Sequence, residues 1–452
     1  MTQATENTTP STARIFQIAW PLALRAVIMF SAVLIDLYFV SSLGEEAVAA
    51  IGLSGAIAGL LMGIVFAFSN AAQVKLAQAV GTENPLAIKT ALVNGFIINI
   101  VLAGIGIATL LILARPIVDF IAHSPKVAAL AMTYMRIFFI MIAAEAVGLI
   151  FGSFFNGDGR TKIPFYSFLI AFPLNILATY VLVFGHFGMP ELGVAGAAWG
   201  TALAAIVRLL VLAAVFWSSD RALIKLPGWI DADRWMSLRE QVRFAWPIAA
   251  TFISMNFAAN TCTLIYANMN IHQFAAMTLI MPWVRIAGLI SYSWAQATGI
   301  LMAQLLGKTV SSEALDAFLL RARRAIVVLA VIVSLTYVGI VFATQRIYVD
   351  LDAQTRTALF SFLPVLLIIP FPRALNALCG NVLRAAGDTH YSMRVHVGAQ
   401  WLILVPVTAV FVLLFDLPAV WVFAVYLLEE ATKFIPFHQR IRSGSWHHVQ
   451  HN

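Results

Sequence analysis

Twelve stretches of about twenty or more predominantly apolar residues follow one another along this 452-residue chain, and a bilayer is the solvent that accepts them. They run over about 15–43, 47–73, 89–114, 127–152, 163–185, 193–217, 241–268, 273–304, 322–344, 357–380, 392–415 and 417–437. With 61% hydrophobic and 11% charged residues, a soluble domain of this length has too little polar material for its surface. Backbone amides inside lipid must be satisfied within their own segment, so the stretches predict helices: an all-α polytopic membrane protein with twelve transmembrane helices. An even count puts both termini on one side. Lys and Arg collect in alternate loops (Arg160, Lys162, Arg221, Arg239, Lys308, Arg323), while the opposite loops hold only Arg115, Lys126, Arg346 and Arg356. That bias places both termini in the cytoplasm of a bacterial-type inner membrane, and it accounts for the net charge of +7 without a nucleic-acid partner. Met1 to Ser11 leads straight into a stretch too long for a signal peptide. Cys262 and Cys379 sit in apolar runs without metal-ligand spacing and read as small core residues.

The twelve stretches divide into two sets of six. Ser218 to Leu238, with Pro227 and Gly228, is the one linker of any length. Across it the halves repeat: Ala19-Trp20-Pro21 recurs as Ala245-Trp246-Pro247, and Ala77-Gln78-x-x-Gly81 as Ala303-Gln304-x-x-Gly307, both at an offset of 226. Gly159-Arg160-Thr161 is echoed by Gly387-Asp388-Thr389 at an offset of 228. Six spans per unit keep both copies in one orientation, so the repeat is parallel, the plan of transporters that rock two lobes about a central site. The expected organisation is a cytoplasmic tail (1–14), a six-helix lobe (15–217), a cytoplasmic linker (218–238), a second pseudo-symmetric six-helix lobe (239–437) and a second tail (438–452). Gly55, Gly59 and Gly63, and the run Gly193 to Ala198, predict close helix approach. Pro173 and the trio Pro364, Pro370 and Pro372 predict bends suited to a cavity wall or hinge.

Charges inside the spans break the pattern, and the first span holds two. A carboxylate on a spanning helix costs about 2.5–3.5 kcal/mol on insertion scales, so Asp36 calls for a reason. Arg25 lies eleven residues earlier on the same face but about 16 Å away, too far to pair with it. Asp36 therefore needs another partner, either a structural one or a bound proton or cation. Glu145, Arg136, Arg208 and Arg285 fall nearer span ends or between spans, where long side chains snorkel. Phe172, Met255, Tyr292 and Trp294 are flat or flexible side chains suited to a cavity for varied ligands, although each singly fits plain packing equally well. His447, His448 and His451 lie on a terminal tail and read as inert rather than metal-binding.

Trp20-Pro21, Asp36, Ala49-Ala50-x-Gly52, Ala77-Gln78-x-x-Gly81, Asn156 to Thr161, Pro173-Leu174-Asn175 and Pro190 to Ala198 together resemble the multidrug and toxic compound extrusion (MATE) transporters over roughly residues 14–440. The resemblance implies a sodium- or proton-driven antiporter that expels amphipathic, mostly cationic, organic compounds; it works as a monomer among membrane lipids, without cofactor and without enzymatic activity. It also implies a cation site of Asp36, Asn175, Thr179 and Thr201, with Asp36 holding Na⁺ if sodium is the coupling ion. On chemistry alone, Asn175 and Thr179 share a helix face, and the carboxylate, amide and hydroxyls are hard oxygen ligands that serve Na⁺ and a protonated carboxyl alike. The chain departs from the NorM pattern in its second half. No acid occurs in Phe252 to Phe257, the position expected to be acidic in span ten is Arg373, and the repeat partner of Asp36 is Cys262. Coupling is then expected to rest on Asp36 alone, as in the DinF-like branch. Arg373 either pairs with an acid in its own lobe, the favoured reading, or with Arg25 adapts the cavity to an anionic or zwitterionic compound. The alternative of a lipid-linked-saccharide flippase rests on these same two arginines. A major-facilitator transporter should carry a Gly-rich Asp/Arg signature between spans two and three, which 75–89 lacks, and no HExxH, GxSxG or intramembrane aspartate pair points to an enzyme.

Overall fold

The structure, a computed structural model, describes residues 9–122, 124–226, 234–308, 310–347 and 351–447. The apolar stretches become helices: α1 (Thr12–Ser41), α2 (Glu45–Gly81), α3 (Pro85–Ile121), α4 (Pro125–Gly157), α5 (Lys162–Phe184) and α6 (Val194–Ser219), then α7 (Arg234–Tyr266), α8 (Ile271–Gly307) and α9 (Ser312–Ile347). The tenth, α10, is broken into Ala353–Ile368 and Pro370–Ala385 with a 46° bend, at one of the predicted prolines. α11 (Thr389–Leu414) contains two π-helical segments, Ala399–Leu404 and Val410–Leu414, on either side of Pro406. α12 (Ala419–Arg442) is 24 residues long, enough to cross, and carries Glu429, Glu430 and Lys433 in its middle. The described residues include no strand. The fold is the expected one of twelve membrane helices in two lobes.

Local chemistry sets the helix ends. Asn84 caps α3 by accepting from Leu86 and Ala87 amides, and Ser124 caps α4 through Val127; Pro85 and Pro125 follow at the position where a missing N–H costs nothing. The sequence repeats are repeats of termination. In Ala77-Gln78 and Ala303-Gln304, the glutamine carbonyl receives the amide of the residue that ends the helix, Thr82 in α2 and Lys308 in α8. Gly159 and Gly387 both adopt positive φ, 80° and 89°, and the next amide turns back to Phe155 or Leu383 five residues earlier. The following ion pairs have opposite polarity. Arg160 grips Asp220 with two bonds of 2.9 and 3.0 Å, whereas Asp388 receives Arg440 at 2.6 Å. The same pin between the fourth-to-fifth turn and the sixth helix is thus built in each half with the charges exchanged.

The chain forms two compact units, Leu24–Ala249 and a second that joins residues up to Ala23 with those from Ala250 on; the divisions fall inside α1 and α7, not in the 218–238 stretch. Within that stretch α6 continues to Ser219, one helical turn covers Ala222–Lys225, and Pro227 and Gly228 lie outside the described residues. In the Leu24–Ala249 unit, buried polar groups stitch α2, α3 and α4 together. Ser54 donates to the Ala131 carbonyl (3.0 Å), Ser153 to the Ser69 carbonyl (2.8 Å), and Asn99 to the Ser69 hydroxyl (2.6 Å). The other unit centres on Tyr337, Phe362, Phe423 and Val284, with the Tyr337 hydroxyl donating to the Val284 carbonyl.

Several expectations need correction. A Cβ on Gly55, Gly59 or Gly63 would meet nothing within 4 Å, so these glycines mediate no close packing within the Leu24–Ala249 unit. The run Gly193 to Ala198 does pack closely, as expected: Cβ atoms on Gly196, and on Gly200 one turn further, would come within 2.7 Å of the backbone nitrogens of Val183 and Thr179. Arg239 and Arg323, read as loop residues, lie on α7 and α9, and Lys75 lies on α2 with its ammonium 4.5 Å from the Phe244 ring. Glu145 and Arg208 do not snorkel: both are buried, and they pair with each other.

Candidate functional site

The lobe of Asp36 assembles from α1, α5 and α6. Because Gly196 and Gly200 leave no side chain on one face of α6, its backbone lies directly against α5, and this contact carries Thr201 toward Thr179 and Asn175. α1 is seated on α5 by Phe39, whose ring lies 5.8 Å from Tyr180 and 6.3 Å from Phe184. Asp36, three residues before Phe39, then faces the α5–α6 seam.

All four expected residues come together there. The Thr179 hydroxyl donates to one oxygen of Asp36 at 3.1 Å, and the Thr201 hydroxyl donates to the other at 3.0 Å. The Asn175 amide nitrogen donates to Thr201 at 3.5 Å. Asn175 and Thr179 are buried, Asp36 and Thr201 half-buried. The Asn175 carbonyl oxygen is shut away from solvent and accepts no hydrogen bond. Among the described residues no Lys, Arg or His lies within ion-pair distance of Asp36. Tyr134 on α4, which the sequence did not single out, is buried within electrostatic reach of Asp36. The donor set is oxygen throughout, with one carbonyl unsatisfied, which suits a hard monovalent cation or a protonated carboxyl. No three His, Cys, Asp or Glu gather anywhere among the described residues.

The remaining expected residues scatter. Arg25, half-buried, lines a cavity with Arg208 on α6, and Phe172 is half-buried on α5, one turn beyond Phe168. In the other unit Met255 and Tyr292 are 47% and 37% exposed. Trp294, by contrast, is buried, and its indole donates to the Ala322 carbonyl at 3.2 Å, closing α8 on α9. Arg373 finds the acid in its own lobe, with Nε 3.5 Å from Glu430. That acid belongs to a cluster overlooked in the sequence. Lys433 bridges Glu429 and Glu430, each at 3.0 Å, and Asn376 donates to Glu430 at 2.9 Å. Three charges within five residues of the last apolar stretch were the available signal. Cys262 is buried, and His447 meets Asp316 at 3.1 Å; His448 and His451 lie outside the described residues.

A two-lobed bundle of twelve membrane helices, with a carboxylate held between hydroxyls inside one lobe, defines a polytopic transporter rather than an anchor or a soluble module. The MatE family profile matches residues 21–181 and 247–410, and the chain belongs to that family, the MATE transporters. It is 27% identical to a probable multidrug resistance protein NorM of Rhizobium meliloti, over 81% of this chain and 79% of that protein. It is 23% identical to the uncharacterized transporter YisQ of Bacillus subtilis over 96% and 95% of the two chains. Among solved structures it superposes on the Vibrio cholerae MATE transporter VcmN in the bent form with a TM-score of 0.83 at 17% identity, covering 96% and 98% of the chains. It also superposes on a MATE transporter in the bent conformation with a TM-score of 0.82 at 17% identity, each chain covered to 95%.

The α5–α6 contact makes a sharp test. Gly200→Ala would drive a Cβ into the Thr179 backbone, so α6 must retreat and take Thr201 from Asp36. Export in a dye-efflux assay is expected to fall at least about tenfold, as ångström-scale misplacement of a reacting group does. Gly104→Ala, whose Cβ meets nothing within 4 Å, should leave it unchanged.

Proposed function

We propose that this MATE transporter is a cation-coupled antiporter that exports amphipathic, mostly cationic, organic compounds, with Asp36 as its coupling residue. The observation that carries the reading is an intramembrane carboxylate with two hydroxyl donors, no base within ion-pair distance among the described residues, and an unsatisfied amide oxygen alongside. A base would hold Asp36 ionised permanently; hydroxyls and a free carbonyl leave it able to take and release a small cation. The second lobe supports coupling through Asp36 alone, as in the DinF-like branch, because its charges are spent on one another: Arg373 and Lys433 on Glu429 and Glu430. This pairing also removes one of the two arginines on which the lipid-linked-saccharide alternative rested. Export runs across a bacterial inner membrane, with both termini cytoplasmic by the distribution of Lys and Arg. The protein acts as a monomer of two lobes, 15–217 and 239–437, and needs no cofactor beyond Na⁺ or H⁺.

The test is counter-flow of a fluorescent organic cation in proteoliposomes, with the sodium and pH gradients imposed separately. One gradient should drive dye uphill and the other should not. Dye movement that follows neither gradient removes the antiport reading.

A further inference from the structure

Sixteen ångströms or so along α1 from Asp36, Arg25 lines a small open cleft inside the Leu24–Ala249 unit. Its walls come from α1, α2, α4, α5 and α6, but none of its lining residues belongs to the Asp36 site. Arg208 on α6 lines it and is 4% exposed. Glu145 pairs with Arg208 and is the one carboxylate in contact with this pair of guanidiniums among the described residues; Arg25 has no ion pair there. Two positive charges thus face one negative charge, with Arg208 and Glu145 shut from water and Arg25 half-buried. An isolated charge in such a medium costs several kcal/mol, and ionisable groups held inside a membrane mark sites.

The arginines are also placed rather than loose. Phe168 on α5 lies 4.2 Å from the Arg208 guanidinium and 5.8 Å from that of Arg25, so one ring orients both. Arg208 meets Glu145 through Nη2 as an ion pair, and neither its buried Nε nor that Nη2 makes a hydrogen bond. Across the cavity, Asn156 donates to Gln73 at 3.0 Å, leaving its own carbonyl oxygen buried without a donor. Gly148 and Gly152 on α4 keep this wall clear; a Cβ on Gly152 would meet nothing within 4 Å. A guest is therefore required to accept from Arg208, offset the surplus charge beside Arg25, and bring a water or hydroxyl to Asn156.

We propose that this cavity binds an anionic oxygen group, a carboxylate or phosphate, gripped by Arg25 and the free edge of Arg208. The group is either the acidic end of a zwitterionic cargo or a free inorganic anion. In the first case the site extends the export reading toward zwitterions; in either case binding needs no ion gradient, so it is measured apart from transport.

The experiment uses the purified full-length protein. Fluorescence anisotropy compares rhodamine 110, which carries a free carboxylate, with rhodamine 123, its methyl ester; thermal unfolding is followed with and without inorganic phosphate. Arg25→Gln is expected to weaken an anionic guest at least about tenfold, the loss of one charge-assisted contact, and to alter rhodamine 123 binding by less than about twofold. Preferential loss of rhodamine 110 assigns the site to cargo; phosphate stabilisation lost in Arg25→Gln, without a rhodamine difference, assigns it to the free ion. Arg208→Gln strands Glu145 and can fail to fold, so Glu145→Gln is the second variant: by releasing Arg208 it should tighten the anion, a gain that a purely structural role does not produce. Asp36→Asn should bind the anion as the native protein does even where its transport is lost. If Arg25→Gln and Glu145→Gln leave both rhodamine 110 binding and phosphate stabilisation unchanged, the cavity is not an anion site.

Discussion

Asp36→Asn will reduce export to the level of cells lacking the transporter, while the protein remains in the membrane in normal amount. The substitution preserves shape: one of the Thr179 and Thr201 hydroxyls can still donate to the remaining carbonyl oxygen, and the other can turn to accept from the new amide. What disappears is the exchangeable charge. Each tenfold inward gradient of one coupling ion supplies about 1.4 kcal/mol, and without a carboxylate to load, none of it reaches the cargo. Asp36→Glu keeps the charge but adds a methylene between helices held by hydroxyls at 3.0 and 3.1 Å, so it should retain partial activity. The measurement is growth in a toxic organic cation, with immunoblots of the membrane fraction. Full resistance in Asp36→Asn would end the role assigned to this residue.

Lys433→Met is expected to cost the second lobe about 3–5 kcal/mol, the usual penalty for stranding a buried charge, and to lower the unfolding temperature in detergent by on the order of 10 °C. Lys433 is 5% exposed and sits between two carboxylates at 3.0 Å. The carboxylates fare differently without it. Glu430 keeps Arg373 and Asn376, whereas Glu429 pairs, among the described residues, with Lys433 alone. Adding Glu429→Gln to Lys433→Met should therefore recover more than half of the loss, and adding Glu430→Gln should recover less. Equal recovery by both would show that the cluster is not divided in this way.

The repeats at offsets 226 and 228 were legible because helix termination is local. Gly159 and Gly387 take positive φ, and each helix closes through a bond back to a residue five positions earlier. Asp36 was legible because a carboxylate in a long apolar run violates the chemistry of its solvent. Asn175, Thr179 and Thr201 came from the family resemblance, with which the one-turn spacing of the first two agrees. The pairing of Glu145 with Arg208 was not legible: 63 positions separate them, and either side chain alone reads as one that reaches for the interface. The place of Trp294 was open for the opposite reason, since an aromatic ring suits a cavity and a helix seam equally until its neighbours are known. Gly55, Gly59 and Gly63 had the spacing of a close-packed face, but within their unit it was Gly196, in the run expected to pack closely, and Gly200 that took that role.

By itself the sequence determined the solvent, the number of crossings, the two-fold repetition and the acid that breaks the apolar rule. Each of these follows from composition or from spacing within a single helix. Tertiary structure alone decided which charges are spent on each other and which are not: Arg373 and Lys433 with Glu429 and Glu430, Arg208 with Glu145, Asp36 with neutral side chains. A helix fixes which residues share a face but not what that face meets, and in a medium without water the partner across the seam decides whether a charge is a strut or a site.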